Sequence, residues 1–465
     1  MKRRDFIKAA LATGALYTTG GLPVLGRVAH ANGIPALGNR VLVNIMLSGG
    51  PDFRHLFVPP FDPVPGSYGY EYWTARAGSH SIDQSSSAYE TRWNDDYFNV
   101  SDGATEFGIL AKCGWLKRMW DAGNVAIISN AVGGTTRNHV HCRLIMEQGN
   151  LSSGPYDFER SGWGGRLAAY AGGNVLSLSG MSTPFVYGPH AEDPNKHDNN
   201  NLISASNTRN IYLYSAGDDV SPSRKIWDVP RGLSSYYAAL RQESNVDPQY
   251  RGFVEHERLL REFGEPIKDR LSTVQLPVSI TSLMEGGLSN PYLGTQIRNL
   301  YDSFVCSDIL SQRVASLKLK GWDTHRIQRD VIEPKLEDLF GDGKALDVLH
   351  QELPLSVLDN TVFVLGGEFG RQLRANGDNG TDHGTGTSIL VIGNGVQGGV
   401  YGEMFPEEEL ERLSGSSPDI NGLTTIDSIY SKVCDWVQTA TSSIVFPDQT
   451  LSMIEDGVNL DRLFL

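Results

Sequence analysis

Short apolar runs that stop at glycine, proline or acidic residues set the pattern of this chain. Val41-Leu42-Val43-Asn44-Ile45-Met46-Leu47 is mostly apolar and ends at Ser48-Gly49-Gly50-Pro51, as a buried strand does. Val125–Ser129, Thr361–Leu365 and Ser388–Ile392 repeat the pattern, and Ile211–Tyr214 reads as a shorter strand. Helical periodicity runs from Phe107 to Trp120 and closes at Asp121-Ala122-Gly123. It returns from Arg137 to Gln148, from Gly162 onward, and from Thr425 to Val437. Residues 230–350 read as mostly helical, most clearly at Val254–Phe263 and Thr295–Lys318. Residues 60–104 and Tyr187–Asn210 are rich in polar, aromatic and turn-forming residues and read as exposed loops. Strands alternating with helices, with no repeat period and no extended linker, predict one α/β domain over residues 32–465 with loop elaborations.

The first 31 residues differ from the rest. Arg3-Arg4-Asp5-Phe6-Ile7-Lys8 has the twin-arginine pattern, followed by a weakly apolar stretch broken by Gly14, Gly20, Gly21 and Pro23. That stretch is too short and too interrupted for a stable membrane span, and Ala29-His30-Ala31 is a cleavage signal. The reading is a signal peptide addressed to the twin-arginine export machinery, with a mature chain in the periplasm or outside the cell. Net charge is -14 overall; removing residues 1–31, which carry +4, leaves -18 on the mature chain. Such a surface repels nucleic acid and anionic membranes at long range, so neither is an expected partner. Cys113, Cys142, Cys306 and Cys434 form no C-x-x-C pair, which argues against a thiolate zinc knuckle. In an oxidising compartment they would allow one or two disulfides.

Candidate chemistry sits just past the apolar runs. In open α/β sheets, strand ends converge on the crevice where ligands bind. Asp52 follows the first strand, and reads either as a turn former in Gly-Gly-Pro-Asp or as a metal carboxylate. Asp323 and His325, two apart in Gly-Trp-Asp-Thr-His, would share a face in extended backbone and reach one ion, or else form a turn that holds Trp322 in the core. Glu368 follows a strand end at Gly366-Gly367, with Arg371 three residues on to take an anionic oxygen or to pair with Glu368. Asp382 and His383 lie in a glycine-rich loop. His139 and His141 rank lower, because on a helix they point roughly 200° apart and cannot share an ion. Thr135 and Thr136 read as helix N-cap residues, or as a nucleophile beside an anion-binding helix end near Arg137. The aromatics between Tyr68 and Trp93 offer a third reading, stacking on glycans, against the plain one of covering the core.

Taken in order, these motifs resemble an exported bacterial family filed as domain of unknown function 1501. They are the twin-arginine signal, strand-Ser-Gly-Gly-x-Asp, Arg137-x-His139, Gly162-Trp163-Gly164-Gly165-Arg166, Gly321-Trp322-Asp323-Thr324-His325, Glu368-Phe369-Gly370-Arg371 and Gly380-Thr381-Asp382-His383-Gly384. The resemblance covers about Val41 to Val437. It implies a relation to the alkaline phosphatase and sulfatase superfamily, hence a mixed sheet sandwiched between helices. It also implies one or two divalent metals (zinc, calcium or manganese) acting on a phosphate or sulfate ester, small or glycan-borne. Under it, Asp52, Asp323, His325, Glu368 and His383 are metal ligands; the reading of the residues themselves adds Asp382 to the metal set and offers Thr135, Thr136, Arg137 and Arg371 as the catalytic set. Two departures stand out. Phe369 replaces an imidazole ligand, and Asn138 replaces a serine common in relatives. The sulfatase Cys/Ser-x-Pro-x-Arg signature is absent, since Gly133 stands four residues before Arg137. The expectation is therefore a metal-dependent ester hydrolase, with a non-catalytic envelope protein of the same fold as the alternative.

Overall fold

Asn44 apart, Val41 to Met46 are apolar and buried, and this strand, Val41–Ser48, becomes the middle of a nine-stranded mixed sheet. The order across the sheet is Gly399–Tyr401, Val125–Val132, Thr387–Ile392, Thr361–Gly366, Val41–Ser48, Gln312–Lys320, Asn174–Ser177 and Leu202–Ser204, with Thr424–Thr425 also pairing onto Val125–Val132. The computed structural model describes residues 34–134, 136–180, 182–210, 264, 266–415, 418–448 and 452–465. The readings for residues 1–31, Thr135, Ile211–Tyr214 and Val254–Phe263 lie outside the described residues.

Strand direction gathers the motifs at one edge. Val41–Ser48 is parallel to both Gln312–Lys320 and Thr361–Gly366. Val125–Val132 is antiparallel to Thr387–Ile392, which is antiparallel to Thr361–Gly366, so it points the same way as the other three. Gly49, Gly133, Gly321 and Gly367 thus leave the sheet together. Alternation within the central strand puts Val41, Val43, Ile45 and Leu47 in one core and Leu42 and Met46 in the other. Helices Gly114–Asp121, Pro291–Val305, Gln328–Phe340 and Ala345–Glu352 supply the first core, and Trp163–Tyr170 and Ile426–Val437 the second. The expected mixed sheet between helical layers is observed. Among the described residues, no helix is long and apolar enough to cross a membrane.

Several elements differ from expectation. Residues 60–104 contain two helices, Tyr68–Arg76 and Ser86–Asp96, followed by the strand Tyr97–Ser101. Ser67 and Ser85 cap these helices, accepting from the Tyr70 and Ala88 N–H groups. Tyr72, Trp73 and Tyr89 are buried in the core, so this segment does not offer them as a sugar platform. The Phe107–Trp120 stretch divides into the strand Glu106–Leu110 and the helix Gly114–Asp121. The Thr295–Lys318 helix stops at Val305; after Ser311 in a left-handed conformation (φ 45°), the strand Gln312–Lys320 begins. Tyr187–Asn210 is not a plain loop, because Leu202–Ser204 adds to the sheet. The four cysteines are buried free thiols rather than disulfides.

One buried charge has a measurable cost. Asp427, in the first turn of Ile426–Val437, is 7% exposed, and its Oδ1 finds no hydrogen-bond partner. Burial, offset in part by Arg166, pushes its carboxyl up to about 6. A raised carboxyl pKa means stability is greatest while the group is protonated and falls as pH rises from the unfolded value near 4 through 6. Asp427→Asn is expected to match the wild type near pH 4 and to exceed it by about 3 kcal/mol at pH 8. Urea unfolding at the two pH values checks this, and an equal or lower stability of the variant at pH 8 contradicts it.

Candidate metal centre

The loops after the central strands can meet only because glycines let backbone approach backbone. Gly49 turns at φ +128°, and a Cβ there would lie 2.4 Å from the Asp323 nitrogen. Across the site, a Cβ on Gly380 would fall 2.1 Å from the His325 carbonyl carbon. The Gly380 segment is not a free loop: Thr381–His383 pairs antiparallel with Arg371–Ala375. This hairpin carries Asp382 and His383 over Asp323 and His325. From the fourth strand end comes the helix His139–Gln148, whose first residue is His139.

Four side chains converge. His383 Nε2 lies 3.0 Å from Asp323 Oδ1, and His325 Nε2 lies 3.1 Å from the same oxygen. His139 Nε2 lies 3.4 Å from Asp323 Oδ2. His325 Nε2 and His383 Nε2 are 2.9 Å apart. His139, Asp323 and His383 each offer a ligand atom, all within 4.8 Å of one another. A tetrahedral ion with bonds of about 2.1 Å would hold its donor atoms roughly 3.4 Å apart; the three-residue group is compatible with that spacing, and His325 lies outside the group, reaching the cluster through His383 and Asp323 Oδ1. The cluster is partly open to solvent, with the Asp323 side chain 42% exposed and that of His383 20%.

The far side of each ring explains the near side. His383 Nδ1 lies 3.1 Å from the Arg137 carbonyl oxygen, which can only accept, so this nitrogen carries the proton. His139 Nδ1 faces Glu368 Oε1 at 2.9 Å, and His325 Nδ1 faces Asp382 Oδ1 at 3.0 Å. Burial opposes ionisation of Glu368, but His139 and the Gly49 N–H outweigh it and lower its pKa. Asn376, chiefly, lowers that of Asp382. Both carboxylates therefore accept from Nδ1, and a ring in its neutral form then presents a bare Nε2 toward Asp323. Three lone pairs and a carboxylate oxygen facing one another repel unless a proton or a cation lies among them. Histidines held from behind by carboxylates or carbonyls are the usual outer shell of a metal site.

Arg371 holds the floor. It is 1% exposed and donates to the Gly50, Gly49, Trp322 and Thr381 carbonyls and to Asp323 Oδ1. Burial works against the Asp323 charge, yet Arg371 and His383 hold its carboxyl at about 2. His383 is lowered by burial despite Asp323, whereas the Glu368 hydrogen bond raises His139.

Several residues have different roles from those expected. Glu368 and Asp382 orient His139 and His325 from behind rather than completing the ligand cluster. Asp52 is buried one layer below, pairing with Arg76 and accepting from Gln328 Nε2 at 2.8 Å. Arg371 makes no ion pair with Glu368, and its donors are turned to backbone and Asp323 rather than to an open ligand site. Arg137 serves through its carbonyl, while its guanidinium pairs with Asp419 at 2.7 Å. Thr136 lies 3.4 Å from His141 Nδ1 and 3.3 Å from Cys142 Sγ, away from the ligand groups. The helix is capped by Asn138, which accepts from the Val140 and His141 N–H groups. Serine is an equally good cap, so the capping role itself does not depend on asparagine at 138. His139 was undervalued: the expected divergence of the two histidines leaves it alone at the site. Phe369 packs against the rings of His139 and His383, with centroids 4.8 and 4.6 Å away, where the resemblance implies another imidazole.

Residues 311–408 match the family model described as "Protein of unknown function (DUF1501)". The matched segment carries Asp323, His325, Glu368, Arg371, Asp382 and His383, and this supports the resemblance drawn from the motifs. His139 lies outside it. No curated protein matches the chain.

Proposed function

We infer that this chain is an exported hydrolase of phosphate or sulfate esters, built on an alkaline phosphatase/sulfatase-like sheet and using one divalent metal. The ligand set is His139, Asp323, His325 and His383. The observation that carries this reading is the set of three imidazoles whose Nδ1 atoms all face acceptors while their Nε2 atoms face one carboxylate. The donor set suits zinc or manganese better than calcium, which prefers oxygen ligands. Bound there, a divalent ion supplies Lewis acidity toward an ester oxygen and lowers the pKa of water.

The chain's own residues set the rest. Glu368, Asp382 and the Arg137 carbonyl fix the ring tautomers. Arg371 neutralises part of the Asp323 charge from beneath. Phe369 walls one side and, standing in for an imidazole, favours one ion over two. Among the described residues, no hydroxyl or thiol hydrogen-bonds to the four ligand side chains, and water is the nucleophile of this reading. That same feature favours a second reading, a non-catalytic envelope protein that keeps the metal for binding or assembly.

Mature protein loaded with zinc, manganese or calcium, offered phosphate monoesters, phosphate diesters and sulfate esters, separates the two readings. Turnover of at least one class is expected, lost on chelation and restored by metal. A blank across all classes at full metal occupancy overturns the hydrolase reading and leaves the second.

A further inference from the structure

One buried polar group near the site belongs neither to the ligands nor to the residues behind them. Gln328 opens the helix Gln328–Phe340 and is fully buried. Its Oε1 accepts from Thr324 Oγ1 at 2.9 Å and from Thr381 Oγ1 at 2.6 Å. Its Nε2 donates to Asp52 Oδ2 at 2.8 Å. Thr324 lies between Asp323 and His325, and Thr381 precedes Asp382 and His383. One amide thus touches both segments that bring ligands to the centre. Neither hydroxyl is hydrogen-bonded to any other described group.

The other end of this link is a buried ion pair, Asp52 with Arg76. Burial alone would raise the Asp52 carboxyl, but Arg76 and His55 outweigh it, with Gln328 adding to the lowering. Arg76 also donates to the Gln372 carbonyl in the hairpin strand Arg371–Ala375. Backbone bonds already join the two ligand segments, from Thr381 N–H to the Thr324 carbonyl and from Gln328 N–H to the Asn379 carbonyl. These fix the spacing of the segments. The side-chain link fixes the joined pair against the core, and so sets where Asp323, His325 and His383 stand relative to His139, which arrives on a separate helix.

We propose that Gln328 is the positioning residue of the metal centre, tying Thr324 and Thr381 to the buried Asp52–Arg76 pair. This rests on the metal reading above. It also gives Asp52 a place at the site without making it a ligand.

The test is a cobalt(II) titration of the mature protein, read by affinity and by the visible d–d band, which reports ligand geometry. Thr324→Val with Thr381→Val keeps the methyl groups and removes both hydroxyls. Thr324→Ser with Thr381→Ser keeps the hydroxyls and removes the methyls. The valine pair is expected to weaken cobalt binding about ten- to hundredfold and to change the band, the size of loss usual for outer-shell partners. The serine pair is expected to bind as the wild type does. Should the valine pair fail to fold, each single valine variant is expected to show a severalfold loss with a changed band. A folded valine variant with wild-type affinity and band overturns the proposal, as does a serine pair that loses as much as the valine pair. A wild type that binds no cobalt fails the metal reading itself, and the proposal falls with it; only that outcome removes both.

Discussion

Replacing Asp323 by alanine is expected to empty the metal centre. Asp323 is the carboxylate that all three Nε2 atoms face, through Oδ1 for His325 and His383 and Oδ2 for His139. Four-ligand sites bind zinc with about 10–16 kcal/mol, so one lost ligand costs roughly 3–4 kcal/mol, or some hundreds of times in affinity. Any ester turnover should vanish with the metal. His141→Ala is the matched control, because His141 lies on the same helix but turns to Thr136. Calorimetric zinc titration of the two variants checks this. Near-wild-type binding by folded Asp323→Ala, or equal losses in both variants, would contradict the assignment.

The second large effect is structural. Arg371→Met is expected to destabilise the metal-free protein by about 3–5 kcal/mol, because four carbonyls lose a charged buried donor at roughly 1 kcal/mol each, while the half-exposed Asp323 adds little. Four carbonyl groups, on Gly49, Gly50, Trp322 and Thr381, lose a donor together, and Asp323 loses its counter-charge. Arg371→Lys should recover little, because a single ammonium cannot copy the planar fork that spans carbonyls from three chain segments. Denaturant unfolding of both variants without metal measures this. A loss under about 1 kcal/mol for Arg371→Met would show that water takes over the carbonyls.

The parts of the fold legible in the sequence were those whose burial is written as apolar runs. Val41–Ser48, Thr361–Gly366 and Thr387–Ile392 are buried on both faces and read directly. Gln312–Lys320 is equally central but carries Gln312, Arg313, Lys318 and Lys320, so it merged with the helix before it. Arg313 is tolerated because it donates to the Val437 carbonyl, and Lys318 because Glu147 lies 3.6 Å away. Such compensation comes from distant segments and leaves no local mark.

The candidate site divides the same way. Motif placement was enough to bring Asp323, His325, Asp382 and His383 together, since their loops follow or precede strands that end at the same edge of the sheet. It could not say which carboxylates face the cluster and which stand behind a ring; that depends on the side from which Glu368 and Asp382 approach. Asp52 reads in the sequence as a metal ligand and lies instead beneath the site, because its partners Arg76 and Gln328 stand 24 and 276 positions away in the chain. His139 needed the helix start at Asn138, and two threonines upstream offered a competing cap.

The most direct test is a crystal of the mature protein grown with zinc, with anomalous data collected on both sides of the zinc edge. One peak is expected, bonded to His139 Nε2, Asp323, His325 Nε2 and His383 Nε2, with Glu368 and Asp382 still on the Nδ1 sides of their histidines. An ion bound by Glu368 or Asp382 instead, or an ordered site with no peak at full zinc loading, would contradict the central claim.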